Sequence, residues 1–301
     1  MPLIAHTGEG PAPAGARLPL FAACRPRQWI KNTLVFVPLI SSSRFDSLDA
    51  VERTAAAAAA FCLMASAVYL LNDLADRAGD RRHPLKRLRP LASGALSPRA
   101  AAASSALLAA AALTIGAALG WKVLAVLAFY AACNIGYSSG LRREPILDVL
   151  LVSSGFVMRP LAGAYAIPVR VSAWLFVVSL LLSLALALLK RRSELVALEA
   201  AAVQHRPALG GYSIRFLDQL TAIVTGAGIM SYSLYTFQSE HSEALVATLP
   251  LFLYGVFRYL YLVYERGAGE SPEELFLRDR PLQIDALLYL AAVLLILTSK
   301  Y

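Results

Sequence analysis

The chain has 301 residues, 58% of them hydrophobic and only 16% charged, with a formal net charge of +8. A soluble domain of this length carries about 25% charged residues. The composition therefore excludes an ordinary soluble enzyme, and the long apolar blocks separated by short polar ones predict a chain that crosses a membrane many times. Transmembrane strands would alternate apolar and polar residues, whereas these blocks are Ala- and Leu-rich, so the predicted class is all-α.

Residues 1–20, "MPLIAHTGEGPAPAGARLPL", lack an apolar core of signal-peptide type and are interrupted by Gly and Pro. They are expected to form a short disordered tail before a single transmembrane domain over residues 21–301. Nine spans follow in order: roughly 28–43, 51–73, 100–119, 121–139, 146–167, 172–190, 215–237, 246–264 and 282–299. The first is short and amphipathic. Trp29, Trp121 and Trp174 fall near span ends, where aromatic belts sit. Cys24, Cys62 and Cys133 have neither disulfide nor zinc spacing, and the four histidines are scattered.

With the N-terminus inside, the cytoplasmic segments collect 21 Lys and Arg residues and the outer ones 5, with Arg159 and Arg258 inside helices. The positive-inside rule then puts the N-terminus in the cytoplasm and the C-terminus outside, as an odd number of spans requires, in a plasma (inner) membrane. Topology and anionic membrane lipid account for the net charge, so no nucleic-acid partner is needed. Ala-rich helices would permit packing into a homo-oligomer.

The second span ends in "YLLNDLADRAGDRRHPLKRLRP", residues 69–90. Asn72, Asp73, Asp76 and Asp80 are spaced three or four apart and share one helix face. Three like charges there repel unless a cation sits among them. Mg²⁺ suits this set, because it takes carboxylate oxygens and leaves room for water and phosphate oxygens. The plainer alternative is a solvated helix end whose acids pair with neighbouring arginines.

"NDLADRAGD" resembles the N-D-x-x-D-x-x-x-D motif of the UbiA superfamily of intramembrane prenyltransferases, and the resemblance extends along nearly the whole chain. It implies nine helices around a central cavity open to the cytoplasm, with this motif at the cytoplasmic end of the second. It also implies that Asn72, Asp73, Asp76 and Asp80 hold Mg²⁺, or Mn²⁺ in its place, and through it a diphosphate. Asp73 and Asp76 are then catalytic. Arg81, Arg82, Lys86, Arg87 and Arg89 would close over the phosphates, with contact to lipid headgroups as their other role.

In those prenyltransferases a second acidic motif, D-x-x-x-D, ends the sixth helix. Here Lys190, Arg191, Arg192 and Glu194 stand in its place. A cationic patch suits another phosphate better than a second metal; a topology anchor for that helix is the alternative. "CRPRQWIKN", "YSSGLRREPILDVLLVSSGFVMRPLAGA", "GYSIRFLDQL" and "FRYLYLVYERGAGESPEELFLRDRPL" resemble the decaprenyl-phosphate phosphoribosyltransferase branch of the superfamily. That branch implies phosphoribosyl pyrophosphate as donor, a polyprenyl phosphate as acceptor and an active site facing the cytoplasm.

The same resemblance brings the loop carrying Tyr137, Arg142 and Asp148 beside the first motif, with Asp148 a candidate for the metal or the ribose, or else a helix N-cap. Arg159, mid-helix, faces either substrate or a structural partner. Lys31 either reaches a phosphate or snorkels to the interface. Two other functions fit the residues. A conventional prenyltransferase would use an aromatic or other apolar acceptor, with Tyr137, Phe156 and Tyr165 shielding a carbocation. A transporter is allowed by intramembrane charge and many helices, but it would show Gly/Pro-broken helices in corresponding halves, and the sequence displays no such halves.

Overall fold

The structure is a computed structural model that describes residues 19–83, 86–169, 172–198, 210–238, 242–269 and 272–299. Most of the expected tail, residues 1–18, lies outside the described residues, while Pro19 and Leu20 open a short helix, Pro19–Ala23. Among the described residues every regular element is helical, and a helix occupies each of the nine predicted segments. α1 comprises Pro26–Phe36, wound as a 3-10 helix, and the α-helical turn Val37–Ser41. Then come α2 (Leu48–Asp80), α3 (Pro98–Leu119), α4 (Trp121–Ser139), α5 (Leu147–Ala166), α6 (Ala173–Leu198), α7 (Ile214–Phe237), α8 (Leu249–Tyr264) and α9 (Arg280–Thr298).

Side-chain caps fix where several of these helices start. Ser47, Ser97, Ser213 and Asp279 each accept a hydrogen bond from the backbone N–H three residues on, satisfying a donor that the first helical turn leaves open. Gly120, at φ 132°, turns the chain directly from α3 into α4. Among the described residues, six helices are long and apolar enough to cross a membrane: α2, α3, α5, α7, the stretch Val246–Tyr264 that contains α8, and α9. At 33 residues, α2 measures about 50 Å, well beyond a hydrocarbon core of about 30 Å. The excess is enough to carry the polar end, Asn72–Asp80, beyond the hydrocarbon.

The main core lies where α2 packs against α3, α4, α5 and α1. It is built on Ala57, Ala60, Phe61, Met64, Ala65 and Val68 of α2. Alanines on this face let the neighbouring backbones approach closely, and Ser105 of α3 donates to the Ala67 carbonyl at 2.8 Å. Gly163 permits a very close approach to a neighbouring backbone: a Cβ there would lie 1.9 Å from the Val35 carbonyl oxygen of α1. At the opposite end of α2 from the acids, Arg53 donates to the Ala166 and Leu119 carbonyls, at 2.7 and 3.0 Å. It thereby closes the C-terminal ends of α5 and α3, where a cation is favoured. Smaller apolar clusters join α5, α6 and α7 through Val149, Leu188 and Leu217, and α6, α8 and α9 through Leu189, Val263 and Leu282.

Candidate active site

The acidic end of α2 is wrapped by guanidinium groups. Asp73, 2% exposed, accepts from Arg25 Nη2 at 2.6 Å and Arg89 Nη1 at 3.3 Å. The same Arg89 nitrogen donates to Asp80 at 2.8 Å. Asp76 takes both terminal nitrogens of Arg142, at 3.0 and 3.2 Å. This is the two-pronged geometry that makes Arg–carboxylate pairs strong, and it raises the pKa of the Arg142 guanidinium above its usual range. Asn72 Oδ1 accepts from Ser138 at 2.6 Å. Arg81 turns back to the Ala92 carbonyl at 3.1 Å, while Lys86 and Arg87 stand exposed in the short helix Lys86–Leu88.

These carboxylates do not gather around one point: among the described residues no three acidic, His or Cys side chains are grouped to hold an ion. The donor set nevertheless fits a hard divalent cation, since it consists of carboxylate and amide oxygens. Arg89 Nη1 already bridges Asp73 and Asp80 as a positively charged stand-in.

A second charged cluster joins α4, α5 and α6. Asp148 is fully buried, in the first turn of α5, and accepts from Arg191 Nε at 2.6 Å and Tyr212 Oη at 2.7 Å. It is therefore not the N-cap; Ile146 holds that position. Arg191 Nη1 reaches Glu194 at 2.8 Å, and its Nη2 reaches the Tyr137 hydroxyl at 3.2 Å. Arg192 pairs with Asp218 at 2.6 Å and lies over the Tyr264 ring at 4.2 Å. Arg191 and Arg192 thus face carboxylates, and Lys190 is half-buried beside them. Consecutive residues of α4 link the two clusters: Tyr137 touches Arg191 and Ser138 touches Asn72.

Arg159 and Lys31 lie elsewhere, each beside the Phe156 ring. Arg159 donates to Asn32 Oδ1 at 2.7 Å and to the Gly155 carbonyl, and is enclosed by the rings of Phe61, Tyr130 and Phe156. These partners are neutral groups and ring faces. Lys31 Nζ sits 5.7 Å from the Phe156 ring centroid and lines an apolar cavity of about 420 Å³ between α1, α6, α8 and α9.

Sequence reasoning did not single out Arg25, Ser138, Tyr212 or Asp218 as site residues. Arg25, Tyr212 and Asp218 lie in the quoted stretches "CRPRQWIKN" and "GYSIRFLDQL". Arg25 also adopts a left-handed conformation, φ 53°, uncommon for a residue with a side chain. Ser138 lies in "YSSGLRREPILDVLLVSSGFVMRPLAGA", where nothing sets it apart from its neighbours.

An all-helical bundle that ends a long membrane helix in carboxylates ringed by arginines defines an integral membrane protein equipped to handle a phosphorylated ligand. The chain belongs to the UbiA prenyltransferase family, whose model matches residues 34–278. It is 35% identical over 289 residues to decaprenyl-phosphate phosphoribosyltransferase of Mycolicibacterium smegmatis, covering 91% of each chain. It is 34% identical over 292 residues to the enzyme of the same name from Corynebacterium glutamicum, covering 92% of this chain and 86% of that one. Its fold is similar to that of a UbiA homolog from Archaeoglobus fulgidus bound to DMAPP and Mg²⁺, with a TM-score of 0.73, 18% identity, and coverage of 93% of this chain and 99% of that one.

Proposed function

We propose that the chain transfers a 5-phosphoribosyl group from phosphoribosyl pyrophosphate to a polyprenyl phosphate of decaprenyl type and releases pyrophosphate. The observation that carries this reading is the similarity to two decaprenyl-phosphate phosphoribosyltransferases along about nine-tenths of the chain. The charge layout supports it. Two phosphorylated substrates need two sets of cations, and the acidic end of α2 and the Lys31 cavity are separate cationic places.

In this reading the donor lies at the end of α2. Asp73, Asp76 and Asp80, with Asn72, would hold a divalent cation, Mg²⁺ or Mn²⁺, which would neutralise the charge developing on the departing pyrophosphate. Arg25, Arg89 and Arg142 exchange carboxylate oxygens for phosphate oxygens as the donor enters. Asp148, buried and held by Arg191 and Tyr212, sets through Arg191 the Tyr137 hydroxyl, which faces the ribose. Lys31 takes the acceptor phosphate, and the first isoprene units occupy the apolar cavity. An acceptor phosphate oxygen attacks ribose C1 as the C1–oxygen bond to pyrophosphate breaks, so the anomeric configuration inverts. The attacking oxygen is already ionised and needs no strong general base. The residues' work is to screen two anions from each other and hold them in line.

The nine helices each span the membrane, with the N-terminus and the acidic end of α2 in the cytoplasm, as the 21-to-5 cation bias supports. Labelling of single cysteines placed in residues 74–98 tests this: access from outside would refute it. The activity test is pyrophosphate release from phosphoribosyl pyrophosphate by purified protein. Release that depends on added polyprenyl phosphate is expected; release indifferent to that acceptor would contradict the proposal.

A further inference from the structure

The turn that leads into Asp148 is strained, and a residue from a distant loop holds it. Ile146 has φ 69° and ψ −48°, and the Leu147 N–H bonds to the Pro145 carbonyl at 2.8 Å. That is a γ-turn of the rare positive-φ hand, and a β-branched residue at its centre is an outlier. Such conformations persist only where the surroundings over-determine them.

Here the surroundings come from the segment just before α7. Tyr212 is buried, and its ring packs with Val149, Leu188 and Leu217. Its hydroxyl accepts the Ile146 N–H and donates to Asp148 Oδ1 at 2.7 Å. Burial, and after it the Asp148 carboxylate, raise the phenol's pKa above its usual range, so it remains a proton donor to the carboxylate. The next residue, Ser213, is the N-cap of α7, which fixes the backbone beside Tyr212. The preceding residue, Gly211, lies so close to Pro145 that a Cβ would come within 2.3 Å of the proline Cγ. Gly211 and Tyr212 thus dock onto the γ-turn, one by close contact and the other by two hydrogen bonds.

We infer that Tyr212 is a positioning residue for the transfer reaction: its hydroxyl locks the 145–147 turn and sets the Asp148 carboxylate, and through Arg191 the Tyr137 hydroxyl, in their working places. The inference rests on the reading above that puts the Tyr137 end of the Asp148–Arg191–Tyr137 chain at the reacting ribose. Tyr212 touches no reacting atom; it acts through Asp148 and Arg191. A substrate-facing group misplaced by about 1 Å costs up to about 100-fold in rate, whereas substrate affinity, carried by the cations, is little altered.

Tyr212→Phe tests this, because it removes the hydroxyl and keeps the ring in its packing. Turnover should fall about 10- to 100-fold, with KM for both substrates little changed and thermal melting close to wild type. Gly211→Ala, which leaves every hydrogen-bonding group in place but pushes the segment off Pro145, should lower kcat in the same way. In both variants the amides of residues 146–150 should exchange with deuterium faster than in wild type. Folded Tyr212→Phe with wild-type kcat would overturn the inference, as would unchanged amide exchange across the turn. Kinetics are read on whichever group the wild-type protein transfers. A wild type that moves a prenyl group would thus contradict the proposed function and leave this test readable.

Discussion

Arg191 Nε lies 2.6 Å from the Asp148 carboxylate, and neither side chain is more than 3% exposed. The guanidinium is committed in three directions at once, to Asp148, Glu194 and Tyr137. It therefore serves as a fixed internal cation that ties the cytoplasm-proposed ends of α4, α5 and α6 together.

Removing one member of this pair should cost far more than removing both. Arg191→Met leaves a buried carboxylate without its cation, a loss of about 3–5 kcal/mol in comparable cases. The double variant Asp148→Asn with Arg191→Met should recover part of that loss. Thermal unfolding in detergent reads both effects, and equal stability of the single and double variants would refute the account of the pair.

Asp73 and Asp76 should dominate activity. Asp73→Asn or Asp76→Asn is expected to lower turnover on the order of 100-fold or more, as the loss of a principal electrostatic stabiliser does. Chelating divalent cations should abolish activity in wild type, and adding Mg²⁺ or Mn²⁺ should restore it. Near wild-type rates in both folded variants would put the metal elsewhere.

Lys31 should matter to the acceptor alone. A charged hydrogen bond contributes about 1.5–3 kcal/mol, so Lys31→Ala should raise the apparent KM for polyprenyl phosphate by about 10-fold or more. The KM for phosphoribosyl pyrophosphate should stay as in wild type. A rise in the donor KM instead would reverse the assignment of the two substrates.

Gly163 should be the least replaceable glycine of the core. An added Cβ would meet the Val35 carbonyl oxygen, a backbone atom, at 1.9 Å, so α1 must move away from α5. Gly163→Ala should destabilise the protein by about 1–3 kcal/mol, the usual cost of overpacking. Gly226→Ala, where a Cβ meets nothing within 4 Å, is the control and should be near neutral.

The helices were legible in the sequence because block length and composition determine them locally. The extent of α2 to Asp80 likewise follows from the three- and four-residue spacing of Asn72, Asp73, Asp76 and Asp80. Partners were not legible. Arg25 meets Asp73 across 48 positions, and Asn32 meets Arg159 across 127. Periodicity tells which face a residue occupies, and gives no information about which helix lies opposite. For the same reason Arg191 and Arg192 read as a patch open to phosphate, although the fold aims them at Asp148, Glu194 and Asp218. Of the alternatives open for the acidic end of α2, the structure displays the arginine pairing, and the donor set remains suited to a cation.

The most direct test of the central claim compares two mixtures with the purified protein and Mg²⁺. One contains phosphoribosyl pyrophosphate labelled in the ribose together with a polyprenyl phosphate. The other contains a labelled prenyl diphosphate and an aromatic acceptor. The account predicts label in the organic-extractable lipid of the first mixture, on ribose with inverted anomeric configuration, and no product in the second. Product in the second mixture alone would contradict it and identify a conventional prenyltransferase.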